Sequence, residues 1–220
     1  MYNLNKVFVK IGNFSIITYG VLVSLVYINS LFISLYNLPV APYLALELLQ
    51  IFFLIFNGKP KSESSSFMES AFPYIVSFFM VAATIFYNPT HLAVHISPSL
   101  LFILRLVPFT VAVLGFVSLR RNFSVATEVR GLVTTGIYKY IRHPIYSAYL
   151  MLWWLQALLL GSLLYTSLVM VATMLIWIRS RVEDGKLESV YPDRALTNDT
   201  TGAFFPTQWL KGRSGLRPDE

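Results

Sequence analysis

The chain of 220 residues is 55% hydrophobic and only 13% charged, contains no cysteine and carries a net charge of +6. Such a composition excludes a soluble globular domain, a disordered tail and a collagen-like rod, and the missing cysteines exclude a disulfide framework, a thiolate metal site, an iron–sulfur cluster and a cysteine nucleophile. The basic excess does not point to nucleic acid, because Lys and Arg fall between apolar runs and at the chain ends, where membrane topology puts them.

Uncharged runs separate Lys10 from Glu47, Glu69 from Arg105 and Arg142 from Arg179. Each holds about 35 residues, roughly 52 Å as helix against a hydrocarbon core of about 30 Å, so each has room for two helices. Lys6 and Lys10 imitate the start of a signal peptide, but the apolar run continues past Tyr27 without a small-residue cleavage site and reads as a retained span. Pro39 and Pro42 break the first run, which predicts helices over 14–36 and 43–57. Asn57 to Ser66 is a polar connector rich in turn residues, and a third helix follows over 72–87. Asn88-Pro89 and Ser97-Pro98 break the second run and place a fourth helix over 99–118. The third run has no internal proline, and Gly161-Ser162 is its one point of punctuation. It predicts a tight hairpin over 144–178, with two helices of about 16 residues, each near 24 Å and slightly short of a full crossing.

If the first four helices alternate, every Lys and Arg of the connectors and the tail falls on one side, while 37–42 and 88–98 carry none. This positive-inside pattern predicts a multi-pass protein with both termini cytoplasmic. Glu47 and Arg105 are the two charges inside predicted spans, and their cost at that depth predicts that they pair. The alternative is Arg105 snorkelling outward beside a protonated Glu47.

Two polar segments remain for chemistry, 119–143 and 179–220. The first ends in Gly136-Ile137-Tyr138-Lys139-Tyr140-Ile141-Arg142-His143-Pro144-Ile145-Tyr146. Pro144 suits the first position of a helix, His143 its cap, and Tyr146 lies one turn on. A helix N-terminus at the membrane surface attracts an anion; the plain alternative is headgroup anchoring by Arg142 and His143 with an aromatic belt of tyrosines. The second segment opens Arg179-Ser180-Arg181-Val182-Glu183-Asp184. If helix continues there, Arg179 and Glu183 are i,i+4 neighbours, and Arg181 and Asp184 are i,i+3. A hairpin brings its ends together, so His143 and Tyr146 should lie close to Arg179 and Glu183.

The stretch LVTTGIYKYIRHPIYSAY followed by RSRVEDGKLESVYPD resembles the signature of the isoprenylcysteine carboxyl methyltransferase and phospholipid methyltransferase superfamily, over about Arg121 to Tyr191. The apolar runs predict an all-α integral membrane protein with four transmembrane helices over 1–118, and the resemblance implies a cofactor-binding catalytic region over 119–220. About six hydrophobic helices are then expected, with no Rossmann domain; the sequence has no GxGxxG. The resemblance further implies S-adenosylmethionine as cofactor, with the backbone around Leu132, Val133 and Gly136 flanking the adenosine and Tyr138 among the cofactor contacts. His143, Pro144, Tyr146, Glu183 and Asp184 would hold the rest of the cofactor, and Arg179 or Arg181, with Glu183, would serve the acceptor. After Tyr191-Pro192 the tail departs from the family's usual Phe-Gly and spaced tyrosines. Phe204, Phe205, Pro206 and Trp209 then read as surface anchors, with a lid over the site as the alternative.

Methyl transfer from a sulfonium disperses positive charge, and a water-poor site does not oppose that dispersal. The expected partners are therefore the bilayer and a lipophilic or prenylated acceptor, with a prenylcysteine-like carboxylate most favoured, and neither nucleic acid nor metal. A carboxylate acceptor needs only a cation to hold it, whereas an amine must also lose a proton to Glu183 or Asp184. A phospholipid amine or a small thiol are other acceptors. An NADPH-using membrane reductase and a small transporter or scaffold are the readings from other classes.

Overall fold

The computed structural model describes residues 46, 48–50, 52, 53, 56, 58–70, 72, 75, 76, 96–193 and 201–206. The helix expected over 14–36, most of those over 43–57 and 72–87, and Trp209 lie outside the described residues. Helices are α1 (Phe67–Ser70), α2 (Pro98–Leu119), α3 (Pro144–Leu160) and α4 (Leu163–Val190). Among the described residues there is no β-strand, and two isolated bridges, Ser62 with Val129 and Ile141 with Gly202, tie loops together.

Helix α2 starts where the Ser97 side chain accepts the Leu100 N–H, with Pro98 pre-set for the first turn. It stops at Arg120, whose φ of 50° takes the backbone out of helix. The hairpin turn follows from its two punctuating residues. Gly161 ends α3 in the left-handed region at φ 59°, and Ser162 caps α4 by accepting the Tyr165 N–H. Across the hairpin, Trp154 Nε1 donates to Thr173 Oγ1 at 3.1 Å.

Among the described residues, two stretches, Ser99–Asn122 and Leu163–Val190, are long and apolar enough to cross a membrane; Pro144–Leu160 is apolar but shorter. Large apolar side chains face outward on all three long helices, including Phe102, Ile103, Leu158, Leu163 and Met174, each more than half exposed. Polar groups lie inside. Arg105 is buried and donates to Gln156 Oε1 at 3.0 Å, and Tyr149 donates to Gln50. Apolar outside and polar inside is the pattern of a surface turned toward lipid. Of the expected Glu47–Arg105 pair, Glu47 lies outside the described residues, and Arg105 is turned inward to Gln156 instead of snorkelling.

Helix α4 differs from its expected length. It runs 28 residues to Val190 instead of stopping near Ile178, roughly 42 Å of helix. The apolar pattern ends at Ile178, but the helix persists because its charged turns are paired. Arg179 Nε meets Glu183 Oε1 at 3.2 Å, and Lys186 Nζ meets Glu69 Oε2 at 2.9 Å. The segment expected as polar tail thus begins as three further helical turns.

Close approach of α2 to α3 depends on Gly115, where a Cβ would stand 2.8 Å from Ile145 Cγ1. Phe116 and Leu152 fill the core beside it, fully buried. The polar connector of the sequence is a built element. Lys61 N–H donates to the Val129 carbonyl, Val129 N–H to the Ser62 carbonyl and Thr127 N–H to the Glu69 carbonyl, at 2.7 to 3.0 Å. Buried Ser64 donates to the Thr127 carbonyl at 3.2 Å. Partial burial works against the Glu69 carboxylate, but the Ser65 N–H and hydroxyl and the Lys186 ammonium together hold it below the ordinary carboxylate range.

Candidate functional site

At the N-terminus of α3, His143 occupies the cap position without capping through its side chain. Its carbonyl takes the Ser147 N–H and hydroxyl, which frees the ring to face α4. Nε2 lies 3.2 Å from Asp184 Oδ1, and Nδ1 lies 3.7 Å from Glu183 Oε2. The ring stacks on Tyr146, one turn along, at 5.5 Å and 9°. Tyr146 donates its hydroxyl to Glu183 Oε1, and the Arg179 guanidinium lies 5.1 Å above the Tyr146 ring. Arg142 reaches Asp184 Oδ2 at 3.6 Å.

This constellation forms because both ends of the hairpin stand on one face of it. Glu183 and Asp184 then divide the work: Glu183 lines a cavity, whereas Asp184 is buried behind His143 and fixes its ring. Arg179 is buried and also donates to the Val125 carbonyl at 2.7 Å, so it braces the loop 121–133 against α4. Arg181 is turned to the outside, its guanidinium over Trp177 at 5.3 Å, and does not line the cavity.

Of the residues expected at the site, Leu132, Val133, Tyr138, His143, Tyr146, Arg179 and Glu183 line this cavity. Gly136, Pro144, Asp184 and Arg181 do not. Gly136 has a backbone role instead: its φ is +62°, and a Cβ there would stand 2.6 Å from Ser118 Oγ. Gly136→Ala should therefore lower stability by about 1 to 3 kcal/mol, measured as a fall in unfolding temperature of the detergent-solubilised protein. Tyr138, three-residue neighbour of the motif's Ile141, sits in a 3-10 turn. Burial, and then the negative charge of Glu183, push its phenol well above its usual range, so at neutral pH it stays a hydrogen-bond donor.

Three contributions escaped the sequence. Glu128 and Arg130 line the cavity as a pair braced by Ser124, whose hydroxyl reaches Glu128 Oε2 at 3.2 Å. A charged pair two positions apart just ahead of LVTTG was the available signal, since alternate residues of an extended segment share a face. The first half of the chain also reaches the site, through Gln50 and Val76. The boundary drawn at residue 118 therefore does not enclose all the lining. Finally, the tail returns: Arg142 and His143 N–H groups donate to the Gly202 and Ala203 carbonyls at 2.9 Å, and the single hydroxyl proton of Ser147 is shared between the His143 and Phe204 carbonyls. Phe204 packs on the His143 ring at 5.9 Å instead of anchoring at the surface, while Phe205 is exposed. Main-chain pairing of this kind leaves no mark in the sequence.

Residues 99–194 match the family described as phospholipid methyltransferase, a span holding α2, the hairpin and the charged end of α4. The segment belongs to the isoprenylcysteine/phospholipid methyltransferase superfamily. No curated protein matches the chain. The family is membrane-embedded and transfers methyl groups to membrane substrates, in keeping with the outward apolar surface of α2 and α4.

The cavity's donor set fits S-adenosylmethionine. Glu183 offers carboxylate oxygen to an ammonium, Arg142 offers a cation whose Nε is buried without a hydrogen-bond partner among the described residues, and Leu132 and Val133 offer apolar surface to a purine.

Proposed function

We propose that this protein is an S-adenosylmethionine-dependent methyltransferase acting on a lipophilic acceptor where the cytoplasm meets the bilayer. The observation that carries the reading is one cavity with two kinds of wall. His143, Tyr146, Arg179 and Glu183 line it together with Ile145, Trp153 and Ile176 of the apolar helices. A water-soluble donor and a lipid-soluble acceptor need such a meeting place, and holding them in line supplies much of the acceleration. The cofactor brings an activated methyl group. What the chain supplies is orientation, exclusion of water and a place for a proton.

For a prenylcysteine-like carboxylate, the acceptor favoured by the sequence, Arg179 is the cation that holds the anion, and no base is needed. A second acceptor, a phospholipid amine, is supported by the name of the matched family and by the Tyr146–Glu183 hydrogen bond, a carboxylate placed to take the proton that an amine must lose. Membranes containing the protein, given methyl-labelled S-adenosylmethionine with a prenylated cysteine or with phosphatidylethanolamine, distinguish the two. A carboxyl ester releases its label in mild base and a methylated amine keeps it. No label in any extractable product contradicts the reading.

The chain is proposed to be multi-pass with both termini cytoplasmic, on the one-sided distribution of Lys and Arg. Truncation fusions ending after Ser64 and at the C-terminus should report cytoplasm, and one near Thr90 the opposite side. A cytoplasmic Thr90 contradicts this topology.

A further inference from the structure

The far wall of the cavity holds a carboxylate that the reaction just described does not use. Glu128 lines the cavity, with its side chain about four-fifths buried at 18% exposure. One of its oxygens, Oε2, takes both the Arg130 guanidinium and the Ser124 hydroxyl. The other, Oε1, takes no hydrogen bond from the described residues. Around it the polar wall is under-satisfied, for Thr127 Oγ1 and Arg130 Nε are buried without hydrogen-bond partners among the described residues.

What such a group takes is set by its charge state and its free lone pairs. The Arg130 cation already balances the Glu128 charge, so a second cation gains little Coulomb energy there. A neutral hydroxyl gains a charge-assisted hydrogen bond to an oxygen otherwise left short of donors. Arg130 and the Asn122 amide, both lining the same wall, supply N–H donors to the hydroxyl's own oxygen or to its neighbour's. The wall is thus complementary to a vicinal diol. Two sources could present one: the ribose of an adenosyl cofactor and the polyol head of a lipid.

We infer that Glu128 is the acceptor for the ribose hydroxyls of the cofactor, held in register by Arg130 and Ser124. The ribose is favoured over a lipid head because the wall belongs to the polar loop 122–131, whereas the apolar spans line the cavity through Ile145, Trp153 and Ile176. This assignment rests on the proposed use of S-adenosylmethionine.

The test is calorimetric binding of S-adenosylhomocysteine and its 2′-deoxy and 3′-deoxy analogues to the full-length protein in detergent. Wild type should bind at least one deoxy analogue about ten- to a hundredfold more weakly than the parent, the effect of one charge-assisted hydrogen bond. Glu128→Ala should bind the parent weaker by a similar factor and lose the discrimination. Glu128→Gln covers the case in which the alanine variant does not fold. Its amide oxygen goes to Arg130 and Ser124, leaving an amide N–H₂ in place of the free acceptor, so discrimination should also shrink. Undiminished discrimination in either variant overturns the inference and leaves the methyltransferase reading standing, as does loss of glycerol or inositol-lipid binding alone. Wild type that binds the parent and both deoxy analogues equally also overturns it. Absence of any S-adenosylhomocysteine binding by wild type overturns both.

Discussion

Arg179→Ala should abolish turnover and cost about 3 to 5 kcal/mol of stability, whereas Arg181→Ala should leave both nearly unchanged. The two arginines are alike in sequence context and opposite in structure. Arg179 is buried, pairs with Glu183, donates to the Val125 carbonyl and covers the Tyr146 ring. Its removal strands a carboxylate and a main-chain carbonyl and frees the loop that forms one wall of the cavity. Cofactor affinity should therefore fall along with turnover, because Arg179 positions the groups around it in addition to its proposed role toward the acceptor. Arg181 is exposed over Trp177, and an exposed cation contributes little. Thermal unfolding and binding measured on both variants check this; an Arg181 variant as damaged as the Arg179 variant contradicts it.

Glu183→Gln should weaken S-adenosylmethionine binding by about 1.5 to 3 kcal/mol, roughly ten- to a hundredfold. Glu183 gathers the site: Tyr146 and Arg179 both donate to Oε1, and His143 approaches Oε2. The amide preserves size and one acceptor oxygen, so the fold should survive while the charge is lost. Asp184→Asn should act less directly. Asp184 lies behind His143 and does not line the cavity, so its variant loses ring orientation and keeps the acidic face presented by Glu183. Binding isotherms for the pair of variants check the order, and wild-type affinity in Glu183→Gln contradicts it.

How much of this was legible in the sequence depended on which atoms did the work. The start of α2 and the hairpin turn were legible because Ser97-Pro98 and Gly161-Ser162 carry backbone instructions in their residue types. The meeting of His143 and Tyr146 with Arg179 and Glu183 followed from the hairpin alone. The choice between Arg179 and Arg181 was also latent. Residues two positions apart on a helix point about 160° away from each other, and Arg179, four positions from Glu183, shares its face. The end of α4 was misplaced because hydropathy reports contact with lipid, and a helix held by ion pairs runs on without it. The packing of 58–70 on 121–130 and the return of 201–204 to the hairpin were hidden for another reason. Main-chain N–H and carbonyl groups make those contacts, and every residue except proline has both.

Everything proposed here requires one cavity, lined by His143, Tyr146, Arg179 and Glu183, to accept an adenosyl sulfonium cofactor. The most direct measurement is a calorimetric titration of the detergent-purified protein with S-adenosylhomocysteine and, separately, with NADPH, repeated on Glu183→Gln. Saturable binding of S-adenosylhomocysteine, weakened about ten- to a hundredfold in the variant, together with no binding of NADPH, is the expected result. Saturable binding of NADPH with none of S-adenosylhomocysteine would make the site that of a reductase and contradict the account.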